Sequence, residues 1–194
     1  MRNLIHVLIL SSFSCTQQPS SEKKYIVSDT LGIEIDNSYF QKPTFSEKEL
    51  HNLGLIKVHN PLQWESLSRE HKPLYQVLLS NGNSEIYINY HAAKKLYESK
   101  KIILPTKAEA DEIVNYLNRN LEDFSKFSKE STSFISFGGK FFDLQIANYW
   151  LKKDDLQNEC SMNALSISLK EKRAYFSETV CQSAYPLKTF KSGL

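Results

Sequence analysis

The stretch that decides the fold runs from Tyr87 to Leu121, YINYHAAKKLYESKKIILPTKAEADEIVNYLNRNL. It reads as a helix over Tyr90–Glu98, a short apolar strand end over Ile102–Leu104, a Leu-Pro-Thr corner and a longer second helix. Pro105 has no N–H for strand pairing and pushes Leu104 into an extended conformation. Thr106 is then a natural N-cap, and Glu109 three residues later completes a capping box. Ala108, Ile113, Leu117, Leu121 and Phe124 recur at helical spacing and predict one apolar face. This is the signature of a well-capped amphipathic core helix, and it carries no catalytic information.

Upstream of this stretch, Tyr25–Ser28 and Ile33–Ile35 predict short strands around an Asp29–Gly32 turn. Ser46 and Glu49 form a second capping box, with Gly54 ending a short helix. Ile56–Val58 reads as a strand, and Pro61–Lys72 as a loop with one helical turn. Tyr75–Leu79 and Glu85–Ile88 flank Asn81-Gly82, which suits a type I′ turn, so a β-hairpin is expected. Downstream, Lys126–Ser133 is a polar connection. Phe134–Phe137, Gly138-Gly139 and Lys140–Leu144 predict a second hairpin, and Tyr149–Leu151 a short apolar strand. Leu165, Ile167 and Leu169 alternate with Ser166 and Ser168, the pattern of a half-buried strand. Ala174–Ser177 pairs back on it after a turn at Glu171–Arg173, and Leu187–Phe190 closes the chain. Helices followed by many short antiparallel strands make an α+β class.

The 194 residues suffice for one domain plus an anchor. A hydrophobic content of 41%, with 11 Phe and 10 Tyr, predicts an aromatic-rich core. A formal net charge of +2 without a basic stripe argues against a nucleic-acid partner. Arg2 and the apolar run Leu4–Leu10, too short to span a bilayer, precede Ser14-Cys15. A small residue before a cysteine at the end of such a run resembles a bacterial lipoprotein signal. The resemblance implies cleavage before Cys15 and lipidation of Cys15. Ser12 departs from the leucine usual at its position, and an ordinary secretory signal or a cytoplasmic start are the competing readings. Residues 1–14 are thus read as signal peptide, 15–24 as a polar tether (TQQPSSEKK after Cys15) and 25–194 as a single domain. With one acid in the tether, a periplasm-facing outer-membrane lipoprotein is preferred over a cell-surface one. The membrane partner is reached through the lipid anchor, whose acyl chains contribute about 0.8 kcal/mol per buried methylene.

The order of elements resembles the Fibrobacter succinogenes major paralogous domain and the related Lcl C-terminal (DUF1566) domains. The matching residues are Tyr90–Tyr97, Ile103-Leu104-Pro105-Thr106, Lys107–Leu117, Gly138–Phe142, Asn148-Tyr149-Trp150, Ala164–Phe176 and Leu187–Phe190. They cover about residues 86–190. Trp150 is followed by Leu-Lys-Lys where the family has Ser-Ser-Thr, and the arginine-rich closing strand has become LKTFK. The resemblance implies a C-type-lectin-like fold.

The same Leu-Pro-Thr-x-x-Glu corner occurs in formylglycine-generating proteins, which use a closely spaced cysteine pair. Here Cys160 and Cys181 lie 21 positions apart across the last hairpin. A structural disulfide is the preferred reading, over free thiols or a redox site, and would contribute roughly 3 kcal/mol. Calcium-dependent sugar binding needs Glu-Pro-Asn or Gln-Pro-Asp with Trp-Asn-Asp, and neither occurs; Asp154-Asp155 reads as a solvated pair. His51, His59, His71 and His91 show no ligand spacing, so no zinc site is expected from sequence. Tyr149 and Trp150 read as core. No catalytic, cofactor-binding or metal residues are therefore assigned, and no cofactor. The expectation is a lipid-anchored, non-enzymatic envelope protein whose lectin-like domain binds a protein or glycan. The alternatives are a degenerate formylglycine-generating-type enzyme and a purely structural envelope component.

Overall fold

The computed structural model describes residues 40–80, 83–127, 132–153 and 161–190. The expected signal peptide, the tether, the strands over Tyr25–Ser28 and Ile33–Ile35, Cys15, Cys160, the Asn81-Gly82 turn and Asp154-Asp155 lie outside the described residues. The rest is a mixed α+β domain, as the pattern predicts.

In chain order, β1 (Phe40–Gln41) leads to α1 (Glu47–Asn52), β2 (Ile56–Lys57) and α2 (Pro61–Arg69). The hairpin β3 (Leu74–Ser80) and β4 (Asn83–Asn89) runs into α3 (Tyr90–Glu98). Then come α4 (Lys107–Arg119), a 3-10 helix (Leu121–Phe127), β5 (Ser133–Ile135), β6 (Phe141–Asp143) and β7 (Ile146–Trp150). The long hairpin β8 (Ser161–Ser168) and β9 (Arg173–Val180) precedes β10 (Ala184–Pro186) and β11 (Thr189–Phe190). Six strands form one sheet in the order β2-β3-β4-β10-β5-β6, three form a second in the order β7-β8-β9, and β1 pairs with β11.

Both predicted capping boxes form. Ser46 and Glu49 close the start of α1, and Thr106 and Glu109 the start of α4. The α3 boundaries match the sequence reading, and the β3–β4 register ends at Ser80↔Asn83, as a two-residue connection requires. Tyr149 and Trp150 are core residues. Trp150 packs edge-on to Tyr90, and its indole N–H donates to the Ile88 carbonyl.

Several expectations need correction. Pro61–Lys72 is mostly helix, not loop. The Asn60 side chain accepts from the Gln63 N–H, Pro61 occupies the first helical position, and Trp64 and Ser68 are buried on one face. Ile102–Leu104 is not a strand. The Ile103 N–H donates to the Thr189 hydroxyl and its carbonyl accepts from the Phe190 N–H, one residue's bonds and no ladder. The α4 stripe is narrower than predicted. It uses Ala110, Ile113 and Leu117, Ala108 is exposed, and Leu121 and Phe124 belong to the 3-10 helix. The β8 strand is buried on both faces, and the Ser166 hydroxyl is satisfied there by donating to Asn148 within the second sheet. The closing strand keeps only Thr189–Phe190, and β10 was not foreseen.

The core has three parts. One joins α3 to the Trp150 side of the molecule, with Leu96, Ile88 and Tyr185. A second lies between α4 and the three-stranded sheet, with Ile113, Leu117, Leu165 and Ile167. The third gathers Trp64, Leu74 and Tyr87 beneath α2. Among the described residues no helix is long and apolar enough to cross a membrane.

Candidate functional site

Asn89 ends β4 and caps α3, and its buried amide ties three chain segments together. Its Oδ1 accepts from the Leu74 N–H and the Ala92 N–H, both at 3.0 Å. Its Nδ2 donates to the Lys72 carbonyl at 2.8 Å. The exit of α2 is thereby fixed against the start of α3. The next residue, Tyr90, donates its N–H to the Cys181 carbonyl at 3.0 Å. The Trp64 indole N–H, from α2, donates to the Gln182 carbonyl, also at 3.0 Å.

These bonds bring together side chains that are remote in sequence. His71 follows α2, His91 is the second residue of α3, and Cys181 lies in the turn between β9 and β10. His71 Nδ1 and His91 Nε2 are 3.3 Å apart, with the rings edge to face at 77°. Cys181 Sγ is 4.0 Å from His71 Nδ1. All three donor atoms fall within 4.8 Å of one another. Cys181 is fully buried, His91 half-buried and His71 exposed. Burial, reinforced by His71, Lys94 and Lys153, holds the His91 imidazole below its ordinary value and so favours its neutral form.

His71 also has an unusual backbone. Its φ is +55°, in the left-handed region. Its N–H donates to the Ser68 carbonyl and the Lys72 N–H reaches the Leu67 carbonyl. This is a Schellman close, whose left-handed position is normally glycine.

A second feature lies on the same helix. Tyr90, Lys94 and Tyr97 follow at one-face spacing and line an open cavity of about 300 Å3, with Leu104 from the Leu-Pro-Thr corner. Lys152 and Lys153 complete its wall, and among the described residues Glu98 is the one acid lining it. The Lys153 N–H donates to the Tyr90 hydroxyl at 3.1 Å, and the Lys152 N–H to the Pro105 carbonyl at 2.8 Å. The Lys152 ammonium lies over the Tyr97 ring, 5.7 Å from its centroid. Lys94 faces Glu98 at 3.8 Å. Among the described residues the wall therefore carries an excess of cations beside two tyrosines. A larger cavity of about 460 Å3, next to β3 and β4, has its charges matched: Lys42 pairs with Glu85, and Glu47 with Lys57.

The sequence reading assigns no site to Lys152 or Lys153 and finds no ligand spacing among the histidines. The cluster escapes any motif because His91 is 20 positions from His71, and Cys181 is 110. The expected Cys160 partner of Cys181 is outside the described residues, although the β8–β9 ladder reaches Ser161↔Val180, their immediate neighbours in sequence. His51 and His59 are exposed and stand apart from the cluster. No family model matches the chain, and no curated protein or solved structure does.

Proposed function

We propose that the chain is a lipid-anchored, non-enzymatic protein of the bacterial envelope, whose α+β domain is of the C-type-lectin-like kind and binds an acidic glycan beside α3. The observation that supports this reading is the cavity of Tyr90, Tyr97, Lys94, Lys152 and Lys153. Its volume is at the lower end of small-ligand sites. Tyrosine faces offer flat, half-polar surfaces to a sugar ring. The lysines supply point charges for a carboxylate, and their exposure makes the attraction sensitive to salt.

The test is calorimetric titration of the purified protein with a uronate-containing oligosaccharide and its neutral counterpart. Saturable binding of the acidic form alone, weakening as salt rises and lost in Lys152→Glu, is the expected result. Equal binding of both oligosaccharides, or none of either, overturns the acidic-glycan reading. Turnover of an envelope substrate by the purified protein overturns the non-enzymatic one. The anchor is checked by intact mass: loss of the first 14 residues plus acyl chains on Cys15 is expected, and an uncleaved chain with an alkylatable Cys15 overturns it.

A further inference from the structure

We propose that the reduced chain holds one metal ion of the zinc class between His71 Nδ1, His91 Nε2 and Cys181 Sγ. Two imidazole nitrogens and one thiolate are a donor set for a borderline-soft ion. Metal–nitrogen distances of about 2.0–2.1 Å and a metal–sulfur distance of about 2.3 Å set tetrahedral donor separations of roughly 3.3–3.6 Å. The two nitrogens already stand at 3.3 Å, and the sulfur is 4.0 Å from His71 Nδ1. Small side-chain rotations bring it in.

The backbone beneath the cluster is built in advance. Asn89 fixes the His71 loop to the first turn of α3, and the Tyr90–Cys181 bond fixes the third ligand to the same turn. The left-handed backbone of His71 is the second pointer. An imidazole occupies a place where glycine costs least, and that imidazole is the exposed member of the cluster. The gradient from buried sulfur to exposed His71 gives the ion a way in.

The proton balance is simple. The ion displaces the Cys181 thiol proton, which goes to solvent. The proton shared between the two ring nitrogens moves to the far nitrogen of its own ring, leaving both imidazoles neutral. One proton is released per ion bound. A Cys160–Cys181 disulfide and the metal thiolate are alternative states of the same sulfur, so the proposal concerns Cys181 as a thiol.

The experiment uses the full chain carrying Cys160→Ser, in which that disulfide cannot form. It is stripped with chelator under reductant, then titrated anaerobically with Co2+ and afterwards with Zn2+. One Co2+ per chain is expected, with a thiolate-to-cobalt charge-transfer band and the visible bands of a tetrahedral site, both erased by stoichiometric Zn2+. Cys181→Ser in this background removes the charge-transfer band. His71→Gly weakens binding by more than about 100-fold, beyond the loss typical of an outer-shell partner. The same variant leaves the melting temperature of the metal-free protein unchanged or higher, which a purely structural role for His71 does not predict. The proposal is overturned if the Cys160→Ser chain takes up no Co2+ stoichiometrically, or if the spectrum survives Cys181→Ser. Binding by His71→Gly as tight as by its parent overturns it as well.

Discussion

Helices α1 and α2 stop in the same way and with different residues. In each, one N–H closes on the carbonyl three positions back and the next N–H on the carbonyl five positions back. The left-handed residue is Gly54 in α1, at φ +72°, and His71 in α2, at φ +55°. Glycine adopts that conformation at no steric cost, whereas a side chain meets its own carbonyl. Helix α3 repeats the close with Lys100 at φ +56°, on an exposed turn. Nothing in the structure explains the choice of lysine there. The contrast is instructive because the hydrogen bonds are the same in all three. What separates His71 is where its side chain goes, toward His91 and Cys181.

The comparison can be broken most severely at Asn89, which couples the end of α2 to the start of α3. Asn89→Ala leaves two buried N–H groups and one carbonyl without their partner, and should cost about 3 kcal/mol in urea unfolding. A loss under about 1 kcal/mol would show that the two helix ends hold their places independently.

At the other end of α2, Gly139 sits at φ +73° against Pro61. A Cβ there would come within 2.6 Å of the Pro61 backbone. Gly139→Ala should cost about 2–3 kcal/mol, because backbone cannot swing aside. An unfolding midpoint equal to the parent's would mean that the start of α2 gives way freely.

Gly54→Ala is milder. Its Cβ would meet the Lys95 ammonium at 2.6 Å, the far end of a flexible side chain. The cost is then mainly conformational, about 1 kcal/mol. Smallest are His71→Gly and Lys100→Gly, each expected to stabilise the metal-free protein by about 0.5 kcal/mol, the relief of the left-handed residue less the added freedom of the unfolded chain. Thermal melts with and without Zn2+ sharpen the comparison. Zinc should reverse the gain at His71 and leave that at Lys100 untouched.

The parts of the fold legible in sequence are those whose causes lie within a few residues. Ser46 and Glu49, or Thr106 and Glu109, make their caps from neighbours three apart. The β3–β4 hairpin follows from alternation and a turn dipeptide. Helix α2 was legible in principle, since Asn60-Pro61 is a cap followed by a good first residue, but its polar surface masked the buried Trp64 and Ser68. Strand β10 has no local cause. Three residues ending in Pro186 become a strand because β4 and β5 flank them. Ile103 shows the converse, an apolar residue whose bonds go to Thr189 and Phe190 rather than to a ladder. The histidine–cysteine cluster belongs with β10. Its members come from three segments and meet only once Asn89 and Tyr90 have joined them.

The pairing of β1 with β11 has a mechanical consequence. Phe40 lies opposite Phe190 and stacks on Tyr149, with ring centroids 3.8 Å apart. Lys42, two residues on, is tied to Glu85 at 3.1 Å. Among the described residues, β1 is therefore held by a two-residue ladder and the packing of one ring, outside the ladders of the six-stranded sheet. β1 acts as a clasp: it fastens Thr189–Phe190, the last described strand, to the three-stranded sheet through Tyr149.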